Sequence, residues 1–172
     1  MEILIKRFKN AEFKSALYIY NYFIKNSHSN FEEKKLTLND LLSIYKKTQL
    51  NNLPFILAKF DKKIVGLAFV NKFREKSGYR FTFEHSIYIH PQYIGKGFGN
   101  EILKNLIKLC KKNKNIKNLI AVIGGSDNIR SIRIHKNNGF KLVGTIKKAG
   151  FKNKRWIDSV YMQKRLWEKQ IL

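Results

Sequence analysis

Apolar residues recur along the chain with two periods, one near 3.6 and one of 2, and their succession sets out the elements. Residues 2–8 read as a short strand. Phe13, Leu17, Tyr20 and Ile24 follow at helical spacing and predict a helix over 11–25. A second helix is expected to start between Thr37 and Asn39, either of which can cap it, and to run through Leu41, Leu42 and Tyr45. Phe55 to Phe60 and Ile64 to Val70 are β-rich, and Asp61-Lys62-Lys63 between them has the length and polarity of a hairpin turn. A longer strand is predicted from Tyr79 to His90. Phe81, Phe83, His85, Ile87 and Ile89 share one of its faces, and Thr82, Glu84, Ser86 and Tyr88 share a more polar one.

Beyond a glycine-dense turn, Phe98, Ile102, Leu106 and Leu109 mark a helix to about Lys112. Leu119 to Ile123 reads as a buried strand, and Asn128 to Asn137 as a short helix ended by Gly139. Two last strands are expected at about 140–150 and 156–166. The order is α+β, with neighbouring strands that favour a central, largely antiparallel sheet flanked by helices. Only Pro54 and Pro91 occur and no Ser/Gly-rich linker divides the chain, so a single domain over 1–172 is the expectation.

Composition changes this picture in two ways. With 44% hydrophobic and 13% aromatic residues, a chain of 172 residues can bury a real core, which argues against disorder. The net charge of +23, from 35 Lys plus Arg against 12 Asp plus Glu, raises nucleic acid, an anionic membrane or an anionic small molecule as partners. The cations are 28 Lys to only 7 Arg, and Lys, Asn and Ile dominate the chain, which has the look of nucleotide bias as much as of a polyanion site. The single Cys110 excludes an internal disulfide framework and a multi-cysteine metal site, and points to the cytoplasm. No apolar run approaches the ~20 residues that span a bilayer, and the first ten residues are charged where a signal peptide is apolar.

The most informative stretch runs from Ser86 to Asn100: an apolar strand, a glycine-rich turn and an amphipathic helix. Gly95, Gly97 and Gly99 allow backbone turns closed to other residues and a close approach to a ligand. The free amides and positive dipole end of the following helix favour a phosphate, and Lys96 adds a charge. A nucleoside triphosphate loop would need Gly-Lys-Ser/Thr, which is absent.

Gln92-Tyr93-Ile94-Gly95-Lys96-Gly97 resembles the Arg/Gln-x-x-Gly-x-Gly/Ala signature of the GCN5-related N-acetyltransferase (GNAT) superfamily. Downstream, the Asn128 to Phe140 stretch, with Gly139-Phe140, resembles that superfamily's second landmark, with His135 where most members have Tyr. Phe73-Arg74-x-Lys76, Tyr79-Arg80-x-Thr82-x-Glu84-x-Ser86-x-Tyr88, Arg133-Ile-His135 and Gly144 to Asp158 look like its phosphinothricin and methionine sulfone/sulfoximine branch. Tyr20-Asn21 and Asn30-Phe31 fit the same pattern. One departure is Lys76, where the branch usually has Arg, and a point charge does not replace a bidentate fork.

The resemblance implies a GNAT fold and direct transfer of acetyl from acetyl-CoA to a small amino-acid-like amine, in a ternary complex without a metal. By it, backbone around Ile87, Tyr88 and Ile89, the turn residues Gln92, Ile94, Gly95, Lys96, Gly97, Phe98 and Gly99, and Asn128 with Ser131 hold the cofactor. Glu84 is the implied general base, and His135 the proton shuttle or acid to the thiolate. Phe31, Arg74, Lys76, Tyr79 and Thr82 are the implied substrate walls, cations for an acidic group and aromatics for the aliphatic part. Asn128, Ser131 and His135 also fall at i, i+3 and i+7, one helix face.

His28, His85 and His90 share no metal-ligand spacing and read as structural, Cys110 as core, and the lysines between Lys104 and Lys114 as a solvated helix face. Within enzymes the rival is acetylation of a protein N-terminus or a polyamine, the latter repelled by +23. The non-enzyme rival, a basic nucleic-acid module, needs cations clustered on one face, whereas the lysines are scattered. The expected partners are therefore a small amine and a second copy of the chain in a homodimer, with neither nucleic acid nor membrane.

Overall fold

The computed structural model describes residues 2–4 and 8–167. In chain order its elements are β1 (Glu2–Leu4), α1 (Asn10–Asn26), α2 (Leu38–Leu50), β2 (Phe55–Phe60), β3 (Lys63–Lys72), β4 (Thr82–Ile89), α3 (Phe98–Lys112), β5 (Asn118–Gly124), α4 (Ile129–Asn137), β6 (Lys141–Lys152) and β7 (Arg155–Arg165). The strands form one seven-stranded sheet in the order β1-β2-β3-β4-β5-β7-β6. Every neighbouring pair is antiparallel except β4 and β5, which run parallel. Within the strand expected at 2–8, residues 5–7 lie outside the described part.

Helices cover both faces of the sheet, which is why β3 is buried at nearly every position rather than at alternate ones. On one face α1 and α2 pack Phe13, Ile19, Tyr20 and Leu41 against Phe55, Leu67 and Phe69. On the other, Ile102, Leu103 and Leu106 of α3 meet Ile56, Val65, Val70 and Phe83, with Cys110 wholly buried among them. β4 therefore presents Phe83, Ile87 and Ile89 to the α3 side and Tyr88 to the α1 side.

The strand expected from Tyr79 begins only at Thr82. Ser77–Tyr79 instead forms one turn of 3-10 helix, closed by Tyr79 N–H to Lys76 O at 3.0 Å and Arg80 N–H to Ser77 O at 3.1 Å. The turn after β2 is tighter than expected: Asp61 and Lys62 both take positive φ, 46° and 59°, and Lys63 already belongs to β3.

One irregularity of the sheet positions everything that follows. β4 pairs with β3 from Phe83 to Ile89, and β5 with β7 over its whole length. β4 and β5 pair with each other only from Thr82↔Asn118 to Glu84↔Ile120. Past Glu84 the two strands separate, leaving a gap through the sheet whose backbone groups face one another without bonding.

Candidate functional site

Two cavities open onto that gap. On the α3 and α4 side lies a cleft of about 770 Å³, bordered by Ile87 and Ile89 of β4, Tyr93 to Gly95 and Gly97 in the turn, Gly99 and Asn100 at the start of α3, and Asp127 to Ser131 before and within α4. On the α1 side lies a smaller cavity of about 230 Å³, reached by Tyr20, Asn30, Phe31, Glu84, Ser86 and Tyr88. Ser29, Ile87, Gly124, Asn128, Ser131 and His135 border both, so the cavities meet in the sheet gap.

The larger cleft has the features of an anion cradle. Gly95 and Gly97 sit at φ +87° and +85°, a conformation that strains any residue with a Cβ. Gly97 is the N-cap of α3, so the first amides of that helix have no carbonyl below them and face outward. His90 Nδ1 accepts the Gln92 amide at 3.3 Å and braces the turn, the structural part expected of it. Gly99 lets Ile134 of α4 approach, its Cδ1 3.2 Å from where a Cβ would stand, and Asn138 Nδ2 donates to Asn100 Oδ1 at 2.7 Å to lock the two helices. Of the expected cofactor residues, Ile87, Ile89, Ile94, Gly95, Gly97, Gly99, Asn128 and Ser131 border the cleft. Gln92, Lys96 and Phe98 do not: the Lys96 ammonium lies over the Tyr93 ring at 5.2 Å and the Phe98 ring packs on Phe60. Tyr88 turns its side chain to the other face and borders the smaller cavity.

Asn128 caps α4, its Oδ1 accepting the Ser131 amide at 3.3 Å, and it brings Ser131 and His135 into line beneath it. His135 is 3% exposed, and both its ring nitrogens are engaged: Nδ1 with Ser131 O at 2.7 Å and Nε2 with His85 Nε2 at 3.0 Å. A carbonyl oxygen can only accept, so Nδ1 carries the proton and Nε2 offers its lone pair to His85. Burial holds both imidazoles below their usual range, His85 down to about 3, with the neighbouring His135 adding to the effect on His85. Neither nitrogen of His135 is left to hand a proton into the cleft. His85, expected to be structural only, is its direct partner.

Glu84 lies partly buried on the α1 side where β4 and β5 part. Burial raises its pKa, and the charge of Arg74 opposes the rise. Arg74, Lys76, Tyr79 and Thr82 line neither cavity. The reason is local: the 3-10 turn folds the β3–β4 connection onto Phe73, with the Arg74 guanidinium 4.4 Å from that ring and Tyr79 edge-on to it at 5.8 Å. Arg74 is exposed, yet near enough for its charge to act on Glu84. Phe31 does line the cavity, packed against Gly150, where a Cβ would overlap its ring.

The segment carrying Phe31 is tied to β6 and packed on β5. Lys152, 1% exposed, donates its Nζ to Ser27 O at 3.0 Å and to Asn30 O. The His28 carbonyl presses on Gly124, leaving no room for a side chain there. Tyr20, Asn30 and Ser86 are cavity residues to which sequence reading gave no role. The alternation along β4 had already put Ser86 beside Glu84, whereas Tyr20 read only as a helix core position. Among the described residues no group of three His, Cys, Asp or Glu could hold a metal ion, and no helix is long and apolar enough to cross a membrane.

Residues 5–161 match the family model of the acetyltransferase (GNAT) domain. A phosphinothricin N-acetyltransferase of Alcaligenes faecalis is 37% identical over 148 residues, 86% of this chain and 75% of that one. An L-methionine sulfoximine/L-methionine sulfone acetyltransferase of Salmonella typhimurium is 31% identical, over 87% of this chain and 86% of its own. Among solved structures, a phosphinothricin acetyltransferase from Sinorhizobium meliloti in complex with acetyl-CoA superposes with a TM-score of 0.91 at 31% identity, over 100% of this chain and 92% of that one.

Proposed function

Because the chain belongs to the GNAT acetyltransferase family and is an acetyl-CoA-dependent N-acetyltransferase, we propose that it acetylates the α-amino group of a small amino-acid-like compound of the methionine sulfone, methionine sulfoximine or phosphinothricin type. The observation that carries this reading is the pair of cavities meeting in the gap between β4 and β5. One suits an extended anionic cofactor and the other a small amine, which supports direct transfer between two molecules bound at once. At about 230 Å³ the acceptor cavity equals about eight water volumes at roughly 30 Å³ each, the scale of an amino acid.

Acetyl-CoA supplies an acetyl group activated as a thioester. The Gly95 to Gly99 turn and the first amides of α3 are the groups suited to its pyrophosphate, with Asn128 and Ser131 farther along the cleft. Glu84 is assigned the amine proton: of the two carboxylates that line the acceptor cavity, Glu84 and Glu32, it is the partly buried one, and its raised pKa makes it a better base than an exposed one. His135 is assigned the shaping of the junction, since Ser131 and His85 occupy its nitrogens. Arg74, whose charge reaches Glu84, is assigned the acceptor's carboxylate.

Thiol release from acetyl-CoA should therefore appear with methionine sulfone, methionine sulfoximine or phosphinothricin. Glu84→Gln should lower kcat by about 10²–10⁴-fold while the KM for acetyl-CoA stays unchanged. An unaltered kcat in that variant removes Glu84 from the chemistry, and silence toward the whole panel removes the substrate class.

A second copy of the chain is the proposed partner. β6 is the outermost strand on its side of the sheet, and Leu142, Val143, Ile146, Phe151 and Trp156 on the β6–β7 hairpin are each more than half exposed. An unpaired edge carrying that much apolar surface calls for cover, and a two-fold pairing provides it. Sedimentation of the wild type as a monomer at micromolar concentration would remove the dimer.

A further inference from the structure

Among the described residues Lys152 is the only Lys, Arg, Asp or Glu that is fully buried, in a chain with 35 Lys plus Arg. No described carboxylate pairs with its ammonium. Taking an ammonium out of water without a counter-ion is costly, and an apolar side chain of the same length would fill the place without that cost. What the ammonium finds there is two backbone carbonyls, Ser27 O and Asn30 O.

Those carbonyls belong to residues 27–31, which follow α1 and form neither helix nor strand. The other bonds of this stretch are local. The Ser29 amide donates to Ser27 Oγ at 2.9 Å, the Glu32 amide donates to Asn30 Oδ1 at 2.8 Å, and the Asn30 side chain is set on the Tyr20 hydroxyl of α1. Lys152 reaches across 122 and 125 positions of sequence and ties the stretch to the sheet. Two residues earlier on β6, Gly150 receives the Phe31 ring, while Phe151 between them is turned outward against Trp156. The end of β6 thus grips the stretch twice, by a ring on a glycine and by an ammonium on two carbonyls.

The gripped residues form a wall of the acceptor site. Ser29, Asn30, Phe31 and Glu32 all line the smaller cavity, and Lys152 lines neither cavity. The cavity is bordered by the carboxylates Glu32 and Glu84 and by no described cation, so the Lys152 charge acts from behind the wall. Burial draws its pKa down, and the charges of Glu33 and Glu32 oppose the fall. Charge-assisted bonds in a dry setting are strong and directional, which a stretch without a ladder of its own needs if its side chains are to hold their places.

Resting on the acceptor reading given above, we propose that Lys152 is a positioning residue of acetyl transfer. It touches neither substrate. By fixing residues 27–31 to the end of β6 it keeps Phe31 and Glu32 where they set the acceptor amine against the sheet gap.

The test is Lys152→Met, which retains an unbranched stem and loses the donors, assayed with the member of the methionine sulfone, methionine sulfoximine and phosphinothricin panel that wild type uses best. The kcat/KM for that acceptor should fall by about 10–10²-fold, mostly through KM, with the KM for acetyl-CoA within about twofold of wild type, since its anion cradle is built by the glycine turn and α3. A residue that only stabilises the fold gives another pattern: Tm and the amount of active enzyme fall, and the acceptor KM of the folded protein stays put. That pattern, or a KM for acetyl-CoA raised as much as that for the acceptor, overturns the inference and leaves the acceptor class standing. Turnover of no panel member by wild type overturns both. Should Lys152→Met fail to fold, hydrogen exchange in wild type decides: the Ser29 and Glu32 amides are expected to be protected like the last turn of α1, and exchange at the free-chain rate overturns the inference.

Discussion

The His85–His135 pair ties a residue that borders both cavities to the stability of the fold. With Nδ1–H of His135 committed to Ser131 O, the one consistent arrangement has His85 Nε2–H donating to His135 Nε2. Adding a proton to either ring breaks this pattern inside a dry site. His85 titrates at about 3 in the fold against about 6.5 in the unfolded chain, so between those values the unfolded state binds more protons. The pair's contribution is complete above about pH 6.5 and is lost progressively as pH falls toward 3. The urea midpoint of the wild type is expected to fall steeply from pH 7 to pH 4.5, and that of His85→Gln to be lower at pH 7 but flatter. Parallel curves for the two proteins would mean that His85 is not the titrating group. The partnership was not legible in the sequence. Glu84 and His135 stood out through motif spacing, but His85 meets His135 across 50 positions, and only the packing of α4 against α3, β5 and β6 brings them together.

At the level of elements, the periodicities located most helices and strands within a residue or two, because both cores impose a regular apolar face. What periodicity cannot encode is pairing. That β4 and β5 run parallel for three residues and then part is a property of two strands and the helices wedged beside them, and it makes the site. Turn conformation escaped as well. Asp61-Lys62 occupies a two-residue hairpin turn in which both φ values are positive, where Asp-Gly is the favoured pair. Lys62→Gly should therefore stabilise the fold by about 0.5–1 kcal/mol after allowance for the more flexible unfolded chain, raising Tm by a few degrees with activity unchanged. A lower Tm would show that the lysine's contacts outweigh its backbone strain. Gly97 presents the opposite case. A Cβ there meets no atom, yet φ of +85° strains it. Gly97→Ala is expected to cost about 1 kcal/mol and to raise the KM for acetyl-CoA, as the turn relaxes away from its cradle. An unchanged KM would separate the turn from cofactor binding.

Across the whole molecule the +23 charge takes on a different meaning once its distribution is known. The count is legible in the sequence. The exclusion of cations from the acceptor cavity is not, because it depends on which lysines face outward, as Lys104, Lys108, Lys111, Lys112 and Lys114 all do or nearly so. The surplus is thus a long-range field around a locally acidic pocket. Such a field attracts the anionic cofactor from solution and does little for a zwitterionic amino acid, whose two charges offset one another. Screening separates the two effects, since the Debye length shrinks from about 30 Å at 0.01 M salt to about 3 Å at 1 M. Raising KCl from low to high concentration should therefore increase the KM for acetyl-CoA severalfold, while kcat and the KM for a sulfone-type acceptor stay nearly constant. Short-range contacts in the glycine turn respond weakly to salt, so a flat KM for acetyl-CoA would assign cofactor capture to that turn alone and leave the lysine surface without a part in it.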